Sequence, residues 1–434
     1  MSWKAYQRNL PRRNRARRGK NKKSWGKRLC LCIGVGVASY VWMNAAPLMA
    51  PSPAPAPKSA QTHFDVPVEA LDLGVEEVKQ LVDDHDIQIS LTLDQDLQKF
   101  IEGKLAKYDV DWAGVAVVQP HDGKVLALAS HSAKNPDSHN LSLQSTFPAA
   151  SIFKMVTAAA AIEQIDAKPT TQFQYAGNMK RIQQRYLSQR YSGTRMTLSE
   201  AFAKSANGIF GKIGSMHLPE ESLLDYASRF GFNQAIPLET EVGTSHVFTE
   251  HLNPANKMDR AKLAAGFGKV TLSPLHGALI AASAVNDGLM MKPYLVDHVR
   301  DETQLVYASS PRVWKQPYGP EGAEAMRSMM RHTVQSGTAR KSFRRRAASL
   351  QNIEIGGKTG SLYGKMPKGR NEWFVSYAKD PVYNENLAVG VVIVNEKYWK
   401  IKPAQLTQWI YQYYYQRQHQ NKRVAQHSES KHGA

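Results

Sequence analysis

Three short stretches place a nucleophile, amines and an amide where they can act on a carbonyl. In Ser151-Ile-Phe-Lys154 a hydroxyl and an amine stand three residues apart, on one face of a helix. The serine follows FPAA at the predicted helix start. Unpaired N–H groups and the positive end of the helix dipole there favour a developing oxyanion. A lysine whose amine is lowered toward neutrality by burial and by nearby cations can take the serine proton. The same spacing recurs at Ser24, Ser376 and Ser428, but Ser376 falls on a predicted strand, where positions i and i+3 face opposite sides. Ser205-Ala-Asn207 adds a hydroxyl and an amide able to relay a proton and hold a peptide carbonyl. Ser138-His-Asn140 has the same spacing, so this pattern is uninformative alone. Late in the chain, GGKTGS carries Lys358 and Thr359, which can bind a carboxylate, and Gly360, which leaves room for a substrate backbone. Neither HExxH, paired CxxC, GxxxxGK[ST] nor a dinucleotide-type GxGxxG occurs, and the fourteen His lack ligand spacing. Metal and nucleotide chemistry are therefore not expected.

Positioning these residues calls for a sheet and helices. LTLDQDLQKFIEGKL has Leu97, Phe100, Ile101 and Leu105 at helical spacing. Gly114–Gln119 and Lys124–Ser130 are β-rich runs joined by PHDG, a hairpin signal. Ser151–Gln164 is Ala-rich and predicts a helix. Residues 197–345 read as mostly helical with Gly/Pro breaks. Strands are expected at Ile353–Thr359, Trp373–Tyr377 and Leu387–Asn395, and an aromatic amphipathic helix at Ala404–Gln416. The resulting expectation is an α+β body, an antiparallel five-stranded sheet flanked by helices, with a helical subdomain inserted between two early and three late strands.

Charge divides the 434-residue chain. Its formal net charge is +19, yet residues 1–28 contribute twelve Lys/Arg and no acid, leaving +7 on the rest. Residues 29–50, LCLCIGVGVASYVWMNAAPLMA, follow without a charge. As a helix this run would extend about 33 Å, close to the hydrocarbon thickness of a bilayer. The basic flank assigns the N-terminus to the cytoplasm, so the expected order is a basic tail at 1–28 and a retained membrane anchor at 29–50. A cleaved signal peptide is the competing reading. Leu48 and Pro51 disfavour cleavage after Ala50. A nucleic-acid arm is the other reading of the basic run, and its position against the apolar span disfavours it. Both cysteines, Cys30 and Cys32, lie in the span, so the outer body has no disulfide. A Pro/Ala linker at 51–63 and a juxtamembrane helix or strap at 64–90 are expected next. The main domain is expected at 91–418 and a polar basic tail at 419–434.

The ordered trio Ser151-x-x-Lys154, Ser205-x-Asn207 and Lys358-Thr359-Gly360 resembles the penicillin-binding D,D-transpeptidases. LTLDQDLQ, AVVQPHDGKVLALAS and GFGKVTLSPLHGALIAASAVNDG resemble that family too. The likeness covers residues 90–415. It implies the serine β-lactamase/D,D-peptidase fold and an acyltransferase of peptidoglycan assembly that needs no cofactor. Ser151 would attack the penultimate D-Ala carbonyl of a stem peptide ending in D-Ala-D-Ala, with Lys154 as base. The N–H groups of Ser151 and Ser361 would form the oxyanion hole. Ser205 and Lys358 would pass a proton to the leaving D-Ala, and Asn207, Thr359 and Gly360 would hold substrate. β-Lactams would acylate Ser151 and stay attached. About forty residues separate the span from residue 90, too few for a glycosyltransferase domain or large pedestal. The resemblance is therefore to a minimal, class B-like form working with a separate glycan polymerase. It leaves open a D,D-carboxypeptidase, and more distantly a β-lactamase or a β-lactam-sensing module.

Overall fold

A computed structural model describes residues 66, 71, 75–82, 85–190, 193–250 and 252–432. The expected tail, anchor and linker at 1–28, 29–50 and 51–63 lie outside the described residues. No helix among the described residues is long and apolar enough to cross a membrane.

The centre is a five-stranded antiparallel sheet built from β3 (Trp112–Val118), β4 (Val125–His131), β9 (Glu354–Lys365), β10 (Lys368–Lys379) and β11 (Leu387–Asn395). Its spatial order is β9-β10-β11-β3-β4. All nine residues of β11 are buried, because both faces of the sheet are covered. Alternation of side chains divides them between two cores. Val389, Val391 and Ile393 pack with Leu97, Ile101 and Leu105 of α1 (Gln95–Lys107) and with Ile410 and Tyr411 of α8 (Pro403–His432). Ala388, Val392 and Val394 pack on the opposite side, with α2 (Lys154–Ile165) and α6 (Pro274–Ala282). Every residue of α6 is buried, and its close seat depends on Gly390, where a Cβ would collide with the Pro274 carbonyl oxygen.

The inserted segment carries the other side of the site. It includes the hairpin β5 (Gln172–Tyr175) and β6 (Thr194–Thr197), then α3 (Leu198–Ala203), α4 (Asn207–Lys212) and α5 (Lys257–Ala264). Thr197 and Glu200 form a reciprocal capping box that fixes the start of α3. α7 (Pro320–Gln335) lies against β9. There the Tyr377 hydroxyl donates to Glu354 Oε1 (2.9 Å), and Arg331 pairs with the other Glu354 oxygen (3.0 Å).

The five-strand expectation matches this sheet in strand content and in its two early and three late strands along the chain, while three local expectations differ. Residues expected as a juxtamembrane helix or strap form β1 (Glu77–Val82) and β2 (His85–Leu91). The largely helical middle contains β7 (Val296–Arg300) and β8 (Leu305–Ala308). Together they make a second sheet, β1-β2-β7-β8. Ile87, Ile89 and Leu91 alternate inward toward Val296 and Val299, which is why this segment is a strand. The last helix also runs to His432, through much of the expected tail.

Candidate active site

Ser151 lies in a 3-10 turn, Ala150–Phe153, that leads directly into α2. The preceding Ala150 has φ 50°, the left-handed region that alanine rarely occupies. Its neighbours hold it there. The Ala149 N–H donates to the Val270 carbonyl (2.9 Å), and the Trp373 indole donates to the Pro148 carbonyl (2.9 Å). Gly266, at φ +83°, passes so close that a Cβ would strike the Ala150 carbonyl oxygen. The turn after α5 is thus pressed against the turn that presents Ser151.

Lys154 projects into this junction with no solvent exposure. Its Nζ is 2.8 Å from Ser151 Oγ, 2.8 Å from Asn207 Oδ1 and 2.6 Å from the Ala265 carbonyl oxygen. Asn207 Nδ2 donates to the Lys180 carbonyl (2.9 Å), which aims Oδ1 at the lysine. Burial pushes the Lys154 pKa well down, and the charges of Lys358 and Lys180 push it further. A neutral amine has two N–H donors and one lone pair. Asn207 Oδ1 and the Ala265 carbonyl only accept, so they take both donors, and the lone pair is left for Ser151. Ser151 is the single partner of the three with a proton to give.

The second half of the site is on β9, the sheet's edge strand. Lys358 has no solvent exposure, and its Nζ donates to Ser205 Oγ (3.1 Å) and to the Thr359 carbonyl (2.8 Å). Burial, helped by Lys180, lowers its pKa to about 7. Ser205 sits between α3 and α4 at φ 54°, a second strained backbone position. Since the Thr359 carbonyl faces Lys358 at the strand's open edge, the strand period of two puts the Ser361 N–H on that edge as well. The Ser361 hydroxyl accepts from Arg370 Nε (2.8 Å). Gly360 lies against Ile152 and Trp373, with little room for even a Cβ.

The structure therefore brings Ser151, Lys154 and Asn207 into one hydrogen-bonded group and Ser205, Lys358 and Thr359 into another, with Gly360 packed beside the turn that holds Ser151. Sequence reasoning missed Thr338, whose hydroxyl is 2.6 Å from that of Thr359. It also missed the Ala265 carbonyl, the Gly266 contact, Lys180 and Arg370. A cavity of about 400 Å³ extends from this edge, with Met179, Lys180, Met196, Lys204, Ala206 and Thr338 in its walls. The arrangement can activate a serine, stabilise an oxyanion at a helix start and an open strand edge, and hold an anionic group near Lys358.

The model of the penicillin binding protein transpeptidase domain matches residues 113–411. Peptidoglycan D,D-transpeptidase PbpA of Mycolicibacterium smegmatis is 26% identical over 316 residues, covering 64% of this chain and 61% of that protein. Stage V sporulation protein D of Bacillus subtilis is 29% identical over 338 residues, covering 72% of this chain and 50% of that protein. The chain thus spans roughly half to three-fifths of the length of these relatives. In fold it is similar to the D,D-transpeptidase domain of a peptidoglycan glycosyltransferase from Eggerthella lenta, with 24% identity, TM-score 0.62, and coverage of 76% of this chain and 83% of that one. It is also similar to penicillin-binding protein A of M. tuberculosis in an imipenem acyl-enzyme complex, with 21% identity, TM-score 0.59, and coverage of 74% and 78%. With the three motifs drawn into two hydrogen-bonded groups, Gly360 packed on Ile152 between them, and the domain model spanning the sheet and its inserted helices, the chain belongs to the penicillin-binding protein transpeptidase family.

Proposed function

We propose that this protein is a peptidoglycan D,D-transpeptidase that crosslinks stem peptides through a Ser151 acyl-enzyme. The observation that carries this reading is the triple contact of Lys154 Nζ: in the neutral amine that burial favours, Asn207 and the Ala265 carbonyl take the two N–H groups and the lone pair faces Ser151. In the first step Lys154 takes that proton as Ser151 Oγ bonds to the penultimate D-Ala carbonyl carbon. Charge gathers on the carbonyl oxygen, which the N–H groups of Ser151 and Ser361 receive. The C–N bond then breaks, and the proton reaches the departing D-Ala amine through Ser205 and Lys358. Lys358, Thr359 and Thr338 hold the terminal carboxylate, while Asn207 holds the peptide and Gly360 admits its backbone. An amine from a neighbouring strand attacks the ester carbonyl, forms the crosslink and restores the Ser151 hydroxyl. β-Lactams enter the first step and stay attached.

The basic 1–28 and apolar 29–50 segments support a single-pass location in a bacterial cytoplasmic membrane, with a cytoplasmic N-terminus. The 51–63 linker then leads to a catalytic body on the wall side, working beside a separate glycan polymerase. The deciding experiment supplies the full-length protein with uncrosslinked peptidoglycan bearing D-Ala-D-Ala stems and counts released D-Ala against crosslinked dimers. Matched yields, both lost in Ser151→Ala, are expected. D-Ala release without dimers would replace the reading with a D,D-carboxypeptidase.

A further inference from the structure

Three lysines are buried among the described residues: Lys154, Lys212 and Lys358. The first and third have oxygen partners in the active site. Lys212, at the end of α4, is 5% exposed and has neither a carboxylate nor a hydrogen-bond partner among the described residues. The buried Arg260 makes the contrast plain, since it pairs with Glu220 (3.0 Å) and donates to the Ser215 carbonyl (3.0 Å). Its Nζ is not among the polar atoms sealed from solvent, so the Lys212 stem is buried while the ammonium reaches the surface with no carboxylate to meet it.

What Lys212 does face is a cavity of about 780 Å³, where β5 and β6 meet the end of α4. Gln172 and Gln174 line it with amides, Arg195 adds an exposed cation, and His217 stands edge-on to Phe173 at 5.4 Å. Burial and the charge of Lys212 both push the His217 pKa down, which keeps its ring a neutral hydrogen-bonding group at pH 7. The walls thus combine a lysine ammonium without a carboxylate partner, a second cation, several amides and an aromatic ring. None of these residues belongs to the acyl-transfer set.

We infer that this cavity is a second ligand site, which takes a carboxylate or phosphate oxyanion carried on a polar, sugar-sized body, with Lys212 as the counter-ion. The size of the cavity exceeds what a bare ion needs, and its amides suit hydroxyl and acetamido groups. An oxyanion at Lys212 would supply the charge-assisted contact that the protein leaves open. The inference is independent of the acyl-transfer reading.

Calorimetric titration of the full-length protein with three probes tests it: N-acetylmuramic acid (a sugar carboxylate), glucose 1-phosphate, and neutral N-acetylglucosamine. At least one acidic sugar should bind saturably, raise the melting temperature and weaken with added salt, while the neutral sugar does not bind. Lys212→Met should weaken that binding at least about tenfold, and benzylpenicillin should acylate this variant at the wild-type rate, which verifies its fold. Arg195→Gln, at the exposed rim, gives a second variant with a smaller loss. Binding of the carboxylate alone would point to a wall-fragment ligand, and binding of the phosphate alone to a phosphate polymer or lipid headgroup. Absence of saturable binding by either acidic sugar, or equal affinity in Lys212→Met, would overturn the site.

Discussion

The two largest sheets of this protein use the same antiparallel pairing to different ends. In the five-stranded sheet both faces are covered, and the edge strand β9 holds Lys358 at zero exposure beside a helix that does the same with Lys154. In the four-stranded sheet β2 and β7 bury an apolar face, but the edge strand β8 leaves Leu305 and Val306 about half exposed. Every member of the proposed catalytic set is on the first sheet or on a segment packed near it, and none is on the second. Complete coverage has a chemical consequence. Excluding water moves an amine toward its neutral form, and a neutral amine can serve as a base near pH 7. A half-covered sheet can support the fold but cannot tune a lysine in this way.

The sharpest break of that contrast is Lys154→Met. Acylation by benzylpenicillin should slow by at least about 10³, while the melting temperature holds or rises because an apolar side chain replaces a buried amine. Stopped-flow acylation and thermal unfolding measure the two effects separately. A rate close to wild type would mean that burial of Lys154 has no catalytic purpose. Next is Gly390→Val, which forces a branched side chain against the Pro274 carbonyl at the centre of the covered sheet. Urea unfolding should show a loss of about 3 kcal/mol or more. Ile89→Ala in the smaller sheet should remove about 2 kcal/mol and leave acylation of the folded protein unchanged. If it impaired acylation as severely as Lys154→Met, the two sheets would not be functionally separate.

The pH dependence sharpens the same comparison. Lys358 has a pKa of about 7 in the folded protein and about 10.4 once unfolded. Between those values the unfolded chain binds the extra proton, so the contribution of Lys358 makes stability rise with pH from about 7 and fade as pH falls toward 7. Lys154, also lowered, acts in the same direction. The buried hydroxyls of Tyr377, Tyr411 and Tyr415 are pushed up, so they reverse the slope above about pH 10. Lys358→Met should flatten the rise, which denaturant titrations at several pH values would measure. Acylation should fall in acid as Lys154 gains its proton, and again above about pH 7 as Lys358 loses the charge that holds the carboxylate. Smallest of all, Leu305→Ser on the exposed edge should change stability by less than about 0.5 kcal/mol.

How far each region could be read from sequence follows the same division. Strands covered on both faces leave long apolar runs, and LAVGVVIVN needs no context to be recognised. The second sheet is built from short, polar-rich segments such as VDHVR, which resemble loops or helix ends until their partners are known. One signal there was available: Ile87, Ile89 and Leu91 alternate strictly, the mark of a half-buried strand. In the candidate site, the side chains whose chemistry is visible in the letters are Ser151, Lys154, Ser205, Asn207 and Lys358, which the structure groups together. The Ala265 carbonyl and the left-handed backbone at Ala150 carry no letter of their own. Thr338 is one threonine among many until the turn after α7 brings it to Thr359.

The most direct test of the central claim, that a buried lysine makes Ser151 the acylated nucleophile, is the intact mass of the full-length protein after exposure to benzylpenicillin, followed by peptide mapping. The account predicts one lasting adduct, on the peptide that contains Ser151, and none in Ser151→Ala. An adduct that survives in Ser151→Ala, maps to another residue, or never forms on the wild-type protein would contradict it.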